Sequence, residues 1–126
     1  MLRLQGMIEQ HQVLMLVDSG SSQSFISDDL AIKLGGAQQV DCPIHVRVAD
    51  GGILSYTKEV RDYCWWVKGI SFVTTLKVLP LGCYDVIIGM DWLGNHSPIA
   101  VDWKGKSLTF KHDNKMVCLH GVLPNV

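Results

Sequence analysis

The stretch VLMLVDSGSSQSFIS, residues 13–27, carries an apolar segment directly into a carboxylate. The segment Val13–Val17 is wholly apolar, Asp18-Ser19-Gly20 follows it, and small polar residues separate that tripeptide from Phe25-Ile26. A carboxylate at the end of a buried strand is costly unless it is exposed or well hydrogen-bonded. Asp, Ser and Gly also favour turns by themselves, so a surface turn between two strands is the simplest interpretation.

The same tripeptide fits a second interpretation, the catalytic aspartate of an aspartic protease. That chemistry needs two carboxylates close enough to share a proton, with a water held between them. Asp18 would supply the carboxylate, the Ser19 hydroxyl would brace the turn, and Gly20 would allow close approach of the backbone. The tripeptide alone does not decide between the two interpretations.

Short apolar segments alternate with turn signals along the rest of the chain. Two short helices are indicated, Asp28–Leu34, which Gly35-Gly36 ends, and Met90–Leu93. Many short strands with few helices predict an all-β barrel or sandwich, formed by residues 1–126 as one domain. The predicted strands are 2–8, 13–17, 40–48, 53–66, 70–79, 85–88, 99–103, 107–110 and 116–119.

Composition excludes several classes of function. The 126 residues are 48% hydrophobic, which is enough for a core, and the formal net charge is −1. Lys and Arg form no run, so we expect no nucleic-acid partner. No apolar run is long enough to span a membrane and no signal-peptide pattern opens the chain, so we expect no membrane partner.

The cysteines and histidines do not form a metal-binding pattern. Four widely spaced cysteines, without a CxxC pair, are expected to be free and mostly buried thiols in a reducing intracellular compartment. The five histidines do not pair with them at ligand spacing, so no metal site is predicted. The cysteines are Cys42, Cys64, Cys83 and Cys118.

A second motif, DVIIGMDWL at residues 85–93, decides the interpretation of the first. An apolar strand stops at Gly89 and a short helix follows, about seventy residues after Asp18. In this pairing the sequence resembles the retropepsin-like aspartic proteases, over roughly residues 4–110. The protease domains of gypsy-type LTR retrotransposon polyproteins are similar in detail, since they also show the pattern that Pro98, Asp102-Trp103 and Phe110 continue here.

The resemblance implies a closed all-β barrel with one short helix after the second motif. It implies an aspartic endopeptidase without a cofactor, in the cytoplasm within a polyprotein or virus-like particle, whose substrate is a peptide or the polyprotein itself. Because only one Asp-Ser-Gly occurs, the active form would be a homodimer. The alternatives are a catalytically inactive, domesticated dimerisation or peptide-binding module of the same fold, and a generic β-barrel.

The resemblance also implies the site residues. The catalytic set is Asp18, Ser19 and Gly20. The loop and the β-hairpin flap would contact substrate through Ser21, Ser22, Ala49, Asp50, Gly51 and Gly52. The second motif would cross behind the catalytic loop through Ile87, Ile88 and Gly89.

The sequence departs from the viral pattern at two positions. Viral members usually pair an Arg after the second glycine with an Asp four residues beyond the catalytic one; Met90 and Ser22 stand here. Asp91 is either a substitute partner for a backbone amide or a helix-start residue.

Among the tryptophans, Trp92 and Trp103 are expected in the core, and Trp65-Trp66 on opposite faces of a strand.

Overall fold

The computed structural model describes residues 2–47 and 52–122. Predicted flap residues Ala49, Asp50 and Gly51 lie outside these ranges, as does Val48. Within them the order is β1 Leu2–Ile8, β2 His11–Val17, β3 Phe25–Ser27, α1 Asp28–Leu34, β4 Gln38–Arg47, β5 Ile53–Val67, β6 Ile70–Leu79, β7 Val86–Ile88, α2 Met90–Leu93, a 3₁₀ turn Gly94–His96, β8 Ala100–Asp102, β9 Ser107–His112 and β10 Lys115–His120.

Seven strands form one sheet in the order β1-β2-β7-β3-β6-β5-β4. Strand β1 also pairs with β5, through Met7 and Trp66, so six of these strands close into a barrel. Strand β4 extends the sheet beyond the closed part. The predicted closed all-β barrel with a short helix after the second motif is confirmed, and the other predicted helix forms as α1.

The interior of the barrel is filled by alternate side chains of its strands. In β1, Leu2, Leu4 and Ile8 are buried, as the period of two along a strand requires. Trp65 of β5 is fully buried and its indole N–H donates to the Thr74 hydroxyl at 3.0 Å. These buried side chains pack together in the interior of the barrel and hold in place the strands that carry the predicted site.

The remaining strands form a three-stranded sheet in the order β10-β9-β8. Beyond β10, the amide of Gly121 donates to the carbonyl of Lys106 at 2.6 Å, and the amide of Val122 donates to the carbonyl of Arg3 at 2.8 Å. The last described residues therefore return to the start of β1 in the same chain.

Two of the expectations about side-chain burial were wrong. Trp103 is 63% exposed, because it follows β8, whose three residues are all exposed. Cys83 and Cys118 are exposed and Cys64 is half-buried, so the described cysteines are not buried thiols. The other tryptophan expectations are confirmed: Trp92 is buried, and Trp65 and Trp66 lie on opposite faces of β5.

Candidate active site

The position of Asp18 follows from the pairing of β2 with β7. These strands are parallel, with Val17 opposite Ile88, so the residues that follow them lie side by side. The amide of Asp18 donates to the carbonyl of Ile88 at 2.9 Å, which continues the ladder by one bond. The sheet therefore places the backbone of Asp18, at the start of the first motif, beside the second motif.

The loop after Asp18 is closed by its own hydrogen bonds. Oδ1 of Asp18 accepts from the amide of Gly20 at 2.9 Å, and its carbonyl accepts from the amide of Ser21 at 3.1 Å. Asp18 is half-buried, while Ser19 and Gly20 are exposed. The tripeptide is thus both the turn that its composition favours and a carboxylate held at the surface of the barrel end.

Gly89 lies directly behind this loop and has no room for a side chain. A Cβ at this position would lie 2.3 Å from the carbonyl oxygen of Gln23 and 2.6 Å from that of Ser21. The next residue, Met90, donates its amide to the Ser21 carbonyl at 2.7 Å. The loop therefore rests on the backbone of the second motif, which requires glycine there.

A buried serine and a helix carboxylate also join the loop to the second motif. The Ser24 hydroxyl donates to Oδ1 of Asp91 at 2.5 Å and accepts from the amide of Gly89 at 3.0 Å. The Ser24 amide donates to Oδ2 of Asp91 at 3.0 Å, and the ammonium of Lys77 lies 3.9 Å from the same oxygen. We call Ser24, Asp91 and Lys77 the loop brace.

The loop brace answers the question that the sequence left open about Asp91. This carboxylate is bonded to a backbone amide of the loop, and it also accepts from the amide of Trp92 at 2.8 Å. Both interpretations of Asp91 are therefore correct. Sequence reasoning missed Ser24, because a serine among other serines gives no signal of partners that lie more than sixty residues away.

The other predicted residues occupy different environments around the loop. The Ser21 hydroxyl donates to the carbonyl of Gln23 at 2.7 Å, which makes it part of the loop's own structure. Ser22 and Gly52 are exposed. Ile88 is buried in the main core, whereas Ile87 is half-buried. Contacts of these residues with a substrate remain predictions.

Ile87 packs against a small second cluster at this end of the barrel, which consists of buried Phe25, Tyr56 and Leu79. The Tyr56 hydroxyl lies 3.4 Å from the Gln23 side-chain oxygen, to which it donates. Burial raises the pKa of Tyr56, and the charge of Glu59 raises it further. Tyr56 is therefore a neutral donor that joins β5 to the loop.

Residues 2–47 and 52–122 give no sign of a metal site or of a membrane-spanning helix. They contain no group of three or more His, Cys, Asp or Glu side chains that could hold a metal ion. No helix within them is both long and apolar enough to cross a membrane.

Comparison with known proteins decides the family. The family model for the PEG10/RTL1 protease domain matches residues 14–118, a range that includes both motifs. The chain belongs to the PEG10/RTL1 protease domain family. Membership confirms the resemblance to retropepsin-like proteases that the two motifs carry.

A solved structure supports the fold of this family member. The crystal structure of the retroviral protease-like domain of Ddi1 from Leishmania major superposes with a TM-score of 0.73, over 98% of this chain and 94% of that chain. The two sequences are 22% identical, so the likeness concerns the fold. No curated protein matches the sequence closely enough to count as a relative.

Proposed function

We propose that this protease domain is an active aspartic endopeptidase and that it acts as a homodimer. The observation that carries the proposal is the placement of Asp18. Its carboxylate lies at the end of the barrel, its amide is bonded to the carbonyl of Ile88, and Gly89 supports its loop from behind. A family match over residues 14–118 adds that this arrangement belongs to a protease domain.

The chemistry requires a second copy of the chain, because each chain supplies one Asp-Ser-Gly. Two Asp18 carboxylates facing each other across a two-fold axis would share one proton. One carboxylate takes a proton from a water as the water attacks the peptide carbonyl, and the protonated one donates to the carbonyl oxygen. The reaction needs no cofactor and no covalent intermediate.

We infer that the substrate is an extended peptide, and that in the cell it is the polyprotein of a retrotransposon. Residues 48–52 follow β4 in the sequence, and we expect them to act as the flap over the peptide and to bond its backbone through Ala49 and Gly51. Closure of the flap would exclude water from the reacting groups. We expect a mildly acidic optimum, because one proton must stay on the pair of carboxylates.

The test compares cleavage of a fluorogenic peptide library by the wild type and by Asp18→Asn, at mildly acidic pH and with pepstatin as inhibitor. We expect the substitution to lower the rate at least about a hundredfold, as loss of an acid–base group does. Asp113→Asn is the matched control, because its carboxylate is 90% exposed on the turn between β9 and β10, outside the catalytic loop. This control should retain full activity.

Two outcomes would contradict the proposal. Equal cleavage by the wild type and Asp18→Asn would place the activity elsewhere. A folded wild type that cleaves no peptide at any protein concentration would favour the alternative, an inactive dimerisation or peptide-binding module of the same fold.

A further inference from the structure

A cysteine and a histidine lie in contact on the last strand, β10. The sulfur of Cys118 lies 3.6 Å from Nε2 of His120, which is within hydrogen-bond distance for a sulfur atom. The two residues are two positions apart, a spacing that places both side chains on the same face of a strand. A thiol and an imidazole that can accept its proton therefore meet at this point of the chain.

Both side chains point away from the core. Val117 and Leu119, which alternate with them along β10, are buried, whereas Cys118 and His120 are exposed. In the part of the chain that the structure describes, β10 pairs with β9 alone and forms the edge of its sheet. A small molecule in solution can therefore reach the sulfur without any opening of the barrel.

The neighbouring strand places no negative charge opposite this pair. The residues opposite it on β9 are Thr109 and Ser107, which are uncharged, and Lys111 is exposed on the same face of β9. The carboxylate of Asp102 belongs to β8, two strands away from β10, which is a distance of about 10 Å. A negative charge on the sulfur of Cys118 would therefore face an imidazole and a lysine, which favour it.

A second exposed cysteine in the same chain lacks this partner. Cys83 lies between β6 and β7 and is exposed, as Cys118 is. The hydrogen bonds of residues 2–47 and 52–122 include no imidazole partner for the sulfur of Cys83. The two thiols therefore differ in the presence of a neighbouring base and are alike in being exposed.

We propose that Cys118 is a reactive thiol that low-molecular-weight disulfides modify reversibly, with His120 as the base that takes up its proton. The thiolate is the form of cysteine that attacks, and an adjacent imidazole is a common activator of a cysteine nucleophile. The thiolate of Cys118 attacks one sulfur of the disulfide, whose own sulfur–sulfur bond breaks as the new one forms. The other half of the reagent leaves as a thiolate and takes up the proton that Cys118 gave to His120. The disulfide is the oxidant, and the step needs no other.

The fold can accept the group that this reaction attaches. Cys118 contributes no side chain to the core, because its exposed face of β10 is the one that Val117 and Leu119 do not share. The backbone bonds that follow the strand run from Gly121 to Lys106 and from Val122 to Arg3, and none of them involves the sulfur. The modified protein should therefore remain folded, and a reductant should restore the free thiol.

The first experiment treats the folded protein with glutathione disulfide at neutral pH and follows each cysteine by mass spectrometry of its own peptide. We expect Cys118 to react at least about fivefold faster than Cys83, because only Cys118 has a base beside it. In His120→Ala, the rate at Cys118 should fall to about that of Cys83. His11→Ala is the matched control, since His11 is exposed at the start of β2, and it should change neither rate.

A second reagent separates activation of the sulfur from binding of the disulfide. Iodoacetamide is uncharged and attaches to the same sulfur with loss of iodide, so His120→Ala should slow its reaction at Cys118 as well. A variant that loses the reaction with glutathione disulfide and keeps the full rate with iodoacetamide would overturn the role of His120 as a base. Equal rates at Cys118 and Cys83 in the wild type would overturn the whole proposal, and this comparison needs no variant. The rates are read on each cysteine whether or not the protein cleaves peptides, so the inference does not rest on the proposed function.

Discussion

Gly89→Ala is expected to displace the catalytic loop. The new Cβ would lie 2.3 Å from the Gln23 carbonyl oxygen, whereas ordinary contact begins near 3.4 Å, so about 1 Å of movement is needed. The atoms in contact belong to the backbone at Ser21 and Gln23, which cannot turn away as a flexible side chain can. Overpacking of this kind costs about 1–3 kcal/mol.

The displacement should reduce activity more than stability. A shift of about 1 Å in the Ser21–Gln23 backbone moves the loop that holds Asp18, and a misplacement of that size can reduce a rate by about a hundredfold. The backbone at Gly89 has φ −108°, which any residue adopts, so the expected loss comes from contact and not from backbone strain. Urea unfolding followed by near-ultraviolet circular dichroism gives the stability, and peptide cleavage gives the rate.

Gly94→Ala is the matched control, because the same methyl group meets no atom within 4 Å there. Gly94 has helical dihedrals, φ −63° and ψ −36°, at the end of α2. Alanine should therefore stabilise the protein by about 0.5–1 kcal/mol. If Gly89→Ala proves as stable as Gly94→Ala, with the same activity, the close contact between the two motifs does not exist and the reasoning is refuted.

Ser24→Ala should destabilise the protein by about 1–3 kcal/mol in urea unfolding, because it leaves the buried amide of Gly89 without its acceptor. Exposed Ser22→Ala is the control, and equal losses for both would contradict the role of Ser24. Burial and the hydrogen bond to Glu9 raise the pKa of Tyr63 to about 12. The unfolded chain releases this proton near pH 10, so stability should fall from pH 10 to 12, and a Tyr63→Phe variant with the same alkaline loss would contradict this.

The elements that the sequence predicted best are those with local signals at both ends. Strand Ile70–Leu79 and helix Asp28–Leu34 match the structure residue for residue, because Lys68-Gly69, Pro80 and Gly35 mark their ends. Strand β3 was not predicted. It has three residues, and both of its neighbours, β6 and β7, come from distant parts of the chain.

The site residues also fall into two groups, those that a local sequence motif reveals and those that it does not. Asp18 and Gly89 could be found from short motifs, since a carboxylate after an apolar strand and a glycine after another are visible in the sequence. Ser24 could not, because its importance depends on burial and on partners in α2. Trp103 was assigned to the core from its size alone, whereas its exposure is set by the position of β8 at a sheet edge.

The two departures from the viral pattern have one physical consequence. In place of the viral ion pair, the buried Ser24 hydroxyl and the carboxylate of Asp91 support the loop. The Lys77 ammonium lies close to that carboxylate. Position 90 carries no charge here, and the 44% exposed Met90 lines an apolar groove together with Val17 and Ser19. An arginine at position 90 would place a charge beside the loop that the neutral Ser22 could not pair. Support of the loop through Ser24 and Asp91 therefore accompanies neutral residues at positions 22 and 90 in this chain.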